Sequence, residues 1–196
     1  HLSDPADIQG HVEMPELDLK NLALVFNRKT TLPFQISGRG TGQIDFHGPL
    51  ALSKLNYTLT TQIDQGVVAN EVFRQLHYNI HAVNGHVYTD RVDFKKGEGL
   101  VTLTGEVANN GDLNVAVSTQ DLHLSDLETI REYIPGLEGR ADIKMDLSQF
   151  ILKPKVVLNA NFTQTTLNQQ PEDDSRISGE LSYKGLQIDS QLLANQ

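Results

Sequence analysis

The chain of 196 residues contains no cysteine and no tryptophan. Without cysteine there is no disulfide framework, thiolate metal site, iron–sulfur cluster or cysteine nucleophile. The same absence suits a reducing or an oxidising compartment equally. Positive charge is also scarce: 16 Lys and Arg stand against 25 Asp and Glu, a formal net charge of −9. That balance excludes the basic face of a nucleic-acid binder and disfavours adsorption to an anionic membrane surface. No window approaches 18 consecutive apolar residues, so the sequence predicts no transmembrane helix. The first residues, His1-Leu2-Ser3-Asp4-Pro5, lack the basic and apolar regions of a signal peptide, and no initiator methionine is present. The expectation is a mature form or a piece of a longer protein. The length suffices for a sizeable core in one or two domains.

What is present is alternation. Leu55, Tyr57 and Leu59 alternate with polar residues, as do Leu76, Tyr78, Ile80 and Ala82. The same pattern marks 101–104, 113–118, 141–148 and 158–162. A period of two gives strands with one apolar and one wet face. Buried parallel strands would read as continuous apolar runs, so the sheet is predicted to be antiparallel and covered on one side only. Val83-Asn84-Gly85-His86 predicts a two-residue hairpin, because Asn-Gly tolerates the positive φ angles of a type I′ turn. Beyond it the apolar parity slips between Val87 and the pair Val92 and Phe94, which predicts a bulge or break near Asp90-Arg91. Ser125-Asp-Leu-Glu128 has the form of a helix capping box. Leu127, Ile130 and Ile134 then share one helical face, and Pro135-Gly136 stops the helix. A second short helix is predicted around Gln65–Arg74, and Asn168–Ser175 reads as a polar loop.

The chain also resembles itself. With φ for an apolar residue, the pattern G-x-φ-x-x-x-G-x-φ-x-φ runs from Gly42 through Ile44, Gly48 and Leu50 to Leu52. It recurs from Gly105 through Val107, Gly111 and Leu113 to Val115, and in a degraded form from Gly179 to Gly185. A looser match aligns Gly38-Arg39-Gly40 with Gly139-Arg140-Ala141. Repeats thus start near 38–42, 105, 139 and 179, at unequal spacing, which suggests strand groups stacked along an axis rather than a strict solenoid.

Helix, proline and then a glycine-led strand follow one another in Leu124-Ser-Asp-Leu127, Tyr133-Ile-Pro135-Gly and Leu137-Glu-Gly139-Arg-Ala141, with Pro154 after Phe150-Ile-Leu152. Together with Leu103-Thr-Gly105-Glu-Val107 and Phe46-His-Gly48-Pro-Leu50, this run resembles the repeating unit of the TamB and AsmA-like family across most of Leu32 to Tyr183. The resemblance implies a mainly β fold: an elongated, twisted antiparallel sheet curled into an open trough, or β-taco, with an apolar interior. It implies a periplasmic segment of a longer protein anchored in the inner membrane of a diderm bacterium. It further implies handling of phospholipid between the two membranes and, for TamB, outer-membrane protein assembly with a barrel partner. Residues 1–196 would form one elongated groove segment, continuous with adjacent segments of the same long chain.

A one-faced sheet must hide its apolar side by packing a second sheet, by covering itself with helices, or by curling around something. One helix is too little cover for so many strands. The residues expected to line such a groove are Ile44, Phe46, Leu50, Leu52, Tyr57, Leu59, Leu103, Val107, Leu113, Val115, Val117, Ile143, Met145, Leu147, Leu158 and Phe162. Each is equally an ordinary core position if the sheet is closed. The alternative is therefore a structural or adhesive β-sandwich or solenoid with a dry core. A third reading has exposed strand edges capturing a partner strand by β-augmentation.

Motifs for other chemistry are missing. His77 and His81 would lie about 13 Å apart on a strand at ~3.3 Å per residue, too far to share an ion, and the hairpin sets His81 against Tyr88 and His86 against Val83. Asp45 and Asp146 fall on the polar face, and Glu172-Asp173-Asp174 lacks the EF-hand pattern. Gly38-x-Gly40-x-Gly42 leads into a strand rather than a helix, so it is no dinucleotide fingerprint. There is no G-x-S-x-G and no phosphate loop. The expectation is a non-enzymatic chain with no cofactor, no metal and no nucleic-acid partner.

Overall fold

A computed structural model describes residues 7–20, 36–49, 54–68, 70–108, 110–150, 153–182 and 185–192. These residues form a mainly β structure: one large antiparallel sheet that does not close on itself. Its first seven strands are β1 (Asp7–Asp18), β2 (Ile36–Pro49), β3 (Asn56–Val68), β4 (Glu71–Val83), β5 (His86–Lys96), β6 (Gly99–Val107) and β7 (Asp112–Gln120). They are followed by β8 (Leu122–His123), β9 (Leu137–Phe150), β10 (Lys155–Leu167), β11 (Gln170–Pro171), β12 (Ser175–Ser182) and β13 (Gly185–Leu192). Neighbours in the sheet follow chain order from β1 to β7, then β9, β10, β12 and β13; β8 pairs with β9 and β11 with β10. The antiparallel, one-sided sheet expected from the alternation is what forms.

Local chemistry sets the hairpins. Val83 pairs with His86 across Asn84 (φ 50°) and Gly85 (φ 77°), the two positive φ values that a type I′ turn requires. The predicted bulge follows within β5 itself. Tyr78 pairs with Val92 while His81 pairs with Tyr88, and on the other side of β5 the register shifts between Thr89 and Val92. The extra residue at Asp90-Arg91 returns Val92 and Phe94 to the face already occupied by Val87.

Three local expectations are corrected. Gln65–Arg74 is not helical; Gln65 pairs with Arg74 and Val67 with Val72 across the β3–β4 hairpin. Gly66 is a poor helix former, and the paired Val67 and Val72 favour strand there. The Phe73 ring also fills the space beside Gly66, where an added Cβ would lie 2.4 Å from the ring. The loop Asn168–Ser175 is partly regular, since Leu167 pairs with Gln170 and Thr166 with Pro171 around Asn168-Gln169. The capping box does not form. Leu124–Asp126 is a 3₁₀ turn, the helix runs Glu128–Tyr133, and its N-cap Leu127 supplies no side-chain bond.

Two parts of the sheet share a pairing pattern. Leu17 and Asp18 pair with Gly40 and Arg39, and Leu122 and His123 pair with Ala141 and Arg140. Each pair leads into a helical turn that starts at a buried leucine, Leu19 or Leu124. In each case the neighbouring strand carries a glycine with positive φ, Gly38 (156°) or Gly139 (133°), and the next pairing is irregular.

A flat single layer leaves both faces wet, yet Leu59 is 1% exposed and Ile63 is 0% exposed. Curvature of the twisted sheet brings Leu17, Leu19, Phe73, Leu76 and Tyr78 around them. Phe73 and Phe94 meet edge to face at 5.7 Å. Gly105 allows a close approach within this sheet: it has φ 151°, and a Cβ there would stand 2.4 Å from the Asn114 carbonyl oxygen and 2.7 Å from Val115 Cα. Backbone cannot yield as a side-chain tip does. Gly105→Ala is expected to lower stability by about 1–3 kcal/mol, read as a reduced urea midpoint with an unchanged slope.

Candidate functional site

The register places the expected groove residues relative to one another. One row of paired positions crosses ten strands: Met14, Gly42, Thr61, Tyr78, Val92, Leu103, Val117, Met145, Leu158 and Gly179. Pairing preserves the face, so these residues share one side of the sheet. On one flank Phe46 pairs with Tyr57, and Val107 with Leu113. Ile44 pairs with Leu59, and Val115 with Leu147. Ile143 pairs with Ala160 and Phe162 with Ala141. Every expected lining residue therefore lies on this one face, except Leu50 and Leu52, which lie outside the described residues. Ile63, Leu76, Ile80, Val92, Phe94, Val101, Val156 and Ile177 belong to it too. Val92 and Phe94 were concealed in the sequence by the bulge that switches their parity.

Burial along the face is uneven. Around β3 and β4 it is closed, with Leu59, Ile63, Leu76 and Tyr78 buried. From β6 to β10 the larger side chains Leu103, Leu113, Val115, Val117, Ile143, Met145, Leu147, Leu158 and Phe162 are only half-buried. The buried positions on this stretch of the face include Val101, Leu122, Ala141 and Ala160. Burial raises the hydroxyl pKa of both Tyr57 and Tyr78. These phenols stay neutral beside the apolar wall.

The opposite face is polar. The Thr58 hydroxyl lies 3.2 Å from His81 Nδ1, and the His81 ring stacks on Tyr88 with centroids 5.1 Å apart. His81 faces Tyr88 and His86 faces Val83, as the hairpin dictates. His86 contacts Glu106 at 3.1 Å. Asp45 contacts His11 at 2.7 Å, a hydrogen bond that raises the His11 pKa, while Asp146 is exposed. In the acidic loop, Asp174 accepts the Gln164 N–H at 3.1 Å. Among the described residues, no group of three or more His, Asp or Glu is placed to hold a metal ion.

One end of the curled face is closed by charge, a feature without a signature in the sequence. Glu71 opens β4 and accepts the backbone N–H groups of Glu128 and Thr129 at 3.0 and 2.9 Å, taking the place of the missing helix cap. Glu128 in turn accepts the Val72 N–H at 3.1 Å instead of reaching back to Ser125. Between them sits Lys96, 4% exposed, whose ammonium is 2.8 Å from Glu71 and bonded to Glu128. The helix thereby docks on β4 from across β5 and β6. Burial pushes the Glu71 carboxyl up, but hydrogen bonds with Glu128, Lys96 and Thr129 overcome it and hold the pKa at about 2.

Compared with protein-family models, with curated proteins and with solved structures, the chain matches none.

A carboxyl whose folded pKa lies below its ordinary value of 4.5 stabilises the fold above that pH. The contribution is lost as pH falls from 4.5 toward 2. The urea midpoint is expected to fall through this window, and Glu71→Gln to flatten that part of the pH profile. Lys96→Met strands two carboxylates and is expected to cost about 2–3 kcal/mol, below the 3–5 of a fully buried pair because both carboxylates are partly wet.

Proposed function

We propose that this chain is a non-enzymatic segment of a longer periplasmic protein of the TamB and AsmA-like kind, and that its apolar face shields phospholipid acyl chains in passage between two membranes. The observation that carries the reading is the mainly apolar side of one open sheet, whose larger side chains are only half-buried from β6 to β10. A closed core of this size would drive its central leucines and valines out of water, whereas from β6 to β10 Leu103, Leu113, Val115, Val117, Leu147 and Leu158 stay only partly buried. Hydrocarbon is the ligand such a wall favours, because each methylene removed from water contributes about 0.8 kcal/mol and no polar partner is required. A row of similar side chains, repeated strand after strand, offers a tail many near-equivalent positions and no deep trap.

The same reading makes adjacent segments of the long chain the neighbours of this sheet, an inner-membrane anchor the origin of the full protein, and an outer-membrane barrel protein a further partner. No helix among the described residues is long and apolar enough to cross a membrane. The rival sandwich requires a second sheet facing the first; all described strands belong to one.

Denaturing extraction of the purified protein followed by mass spectrometry is expected to yield phospholipid. In cells, a photo-crosslinker at Val115 or Met145 is expected to label lipid. One at Asn114 or Lys144, on the opposite face, is expected not to, and one at buried Leu59 to label less than Val115. Equal labelling from both faces, or none from either, would sink the groove.

A further inference from the structure

A second concave feature lies on the other side of the sheet. A cavity of about 550 Å³ crosses β1 to β5, and the side chains that line it come mainly from the polar face. Two parallel rows border it. In the first, Gln43 pairs with Thr60 and Thr60 with Asn79. In the second, Thr41 pairs with Gln62 and Gln62 with His77. The rows run across the strands, so each strand supplies one amide, hydroxyl or imidazole in turn.

The chemistry of these rows is that of neutral hydrogen bonding. Thr60 Oγ1 donates to Asn79 Oδ1 at 3.1 Å, which fixes that amide and leaves its NH₂ edge as a donor. At one end of the cavity Asp93 accepts from Arg91 at 2.6 Å and from Thr102 at 2.8 Å. Burial pushes the Asp93 carboxyl up, but these two bonds hold it below the usual carboxylate range, paired and ionised. Glu13 at the other end adds negative charge, which opposes phosphate and other polyanions. Acyl chains gain nothing among so many polar groups, and a peptide strand would seek a sheet edge rather than the middle of a face. What fits is an extended ligand carrying alternating hydroxyl or acetamido groups along its length. Strands lie ~4.8 Å apart, close to the advance per ring of an extended pyranoside chain, so successive rings meet successive strands.

We propose that this outer-face cavity binds an extended, uncharged glycan laid across the strands, through the two ladders of amide, hydroxyl and imidazole groups on β2, β3 and β4. The site lies on the opposite face from the lipid wall and stands independently of it. The chain has no indole and the Tyr78 phenol is buried on the apolar face, so the affinity is set by hydrogen bonds and falls in the ~0.1–1 mM range.

Titration calorimetry of the intact chain with cellohexaose and with chitohexaose tests the assignment. Saturable binding of either supports it; a preference for chitohexaose assigns acetamido recognition to the carboxamides, and a preference for cellohexaose assigns hydroxyl recognition. Gln62→Ala and Asn79→Ala are each expected to weaken binding at least fivefold. Asn114→Ala, on the same face but outside the cavity, is expected to change nothing. If Gln62→Ala lowers the melting temperature, Gln62→Thr removes the amide while keeping a strand-forming residue. The proposal is overturned by an absence of saturable binding for both sugars at their solubility limits. It is equally overturned by binding that the cavity variants leave unchanged.

Discussion

The structure depends on one constraint: an apolar face carried across ten paired strands without a second layer to cover it. At about 25 cal/mol per Å² of apolar surface, leaving such a face open would forfeit most of the energy that orders the chain. A sheet can hide its own face only by bending, and bending needs twist and local irregularities. The register shifts at Met14–Leu17, Thr89–Val92 and Thr163–Thr166 supply them. The bulge in β5 has a second role, because it keeps the face continuous. Without the extra residue, Val92 and Phe94 would point to solvent, and Phe94 could not meet Phe73.

How much of this was legible in the sequence follows from the range of the forces involved. Strand alternation, the Asn84-Gly85 hairpin and the β5 bulge are written in neighbouring residues, so parity and turn chemistry revealed them. Most residues of the apolar face were legible for the same reason, since alternation assigns a face before any partner is known. What stayed hidden was long-range. The sequence Ser125-x-x-Glu128 has the composition of a capping box, yet Glu71, distant in the chain, provides the cap, and Glu128 is drawn to Val72 and Lys96 instead. Gln65–Arg74 has a helical-looking distribution of polar residues, but a strand partner two residues beyond a turn outweighs it. The lysine that closes the end of the sheet carries no motif at all. Nor does the polar cavity, whose rows come from three strands, β2 to β4, and align only once the register is known.

The uneven burial of the apolar face has a mechanical consequence. Around β3 and β4 the side chains satisfy one another, so that region behaves as an ordinary core and anchors the fold. From β6 to β10 the wall is incomplete, and half-exposed leucines and valines still have surface to lose to a ligand. The ion cluster of Glu71, Lys96 and Glu128 lies where the helix crosses from one region to the other. Hydrogen bonds of fixed direction suit such a junction better than further apolar contact, because they set the position of the helix without tightening the wall beside it.

The same curvature accounts for the concavity on the opposite side. A uniformly rolled sheet is concave on one face and convex on the other. A twisted sheet is saddle-shaped instead, so each face is hollow along one diagonal and raised along the other. Strands β1 to β5 contain both the most deeply buried stretch of the apolar face and the polar cavity behind it. A twist that closes the inner face there also hollows the outer one along the other diagonal. The alternation of the strands then decides what each hollow offers: hydrocarbon on one side, amides and hydroxyls on the other. A substitution that flattened this part of the sheet would therefore open the core and erase the polar cavity together, whereas one confined to an outer side chain leaves the core untouched.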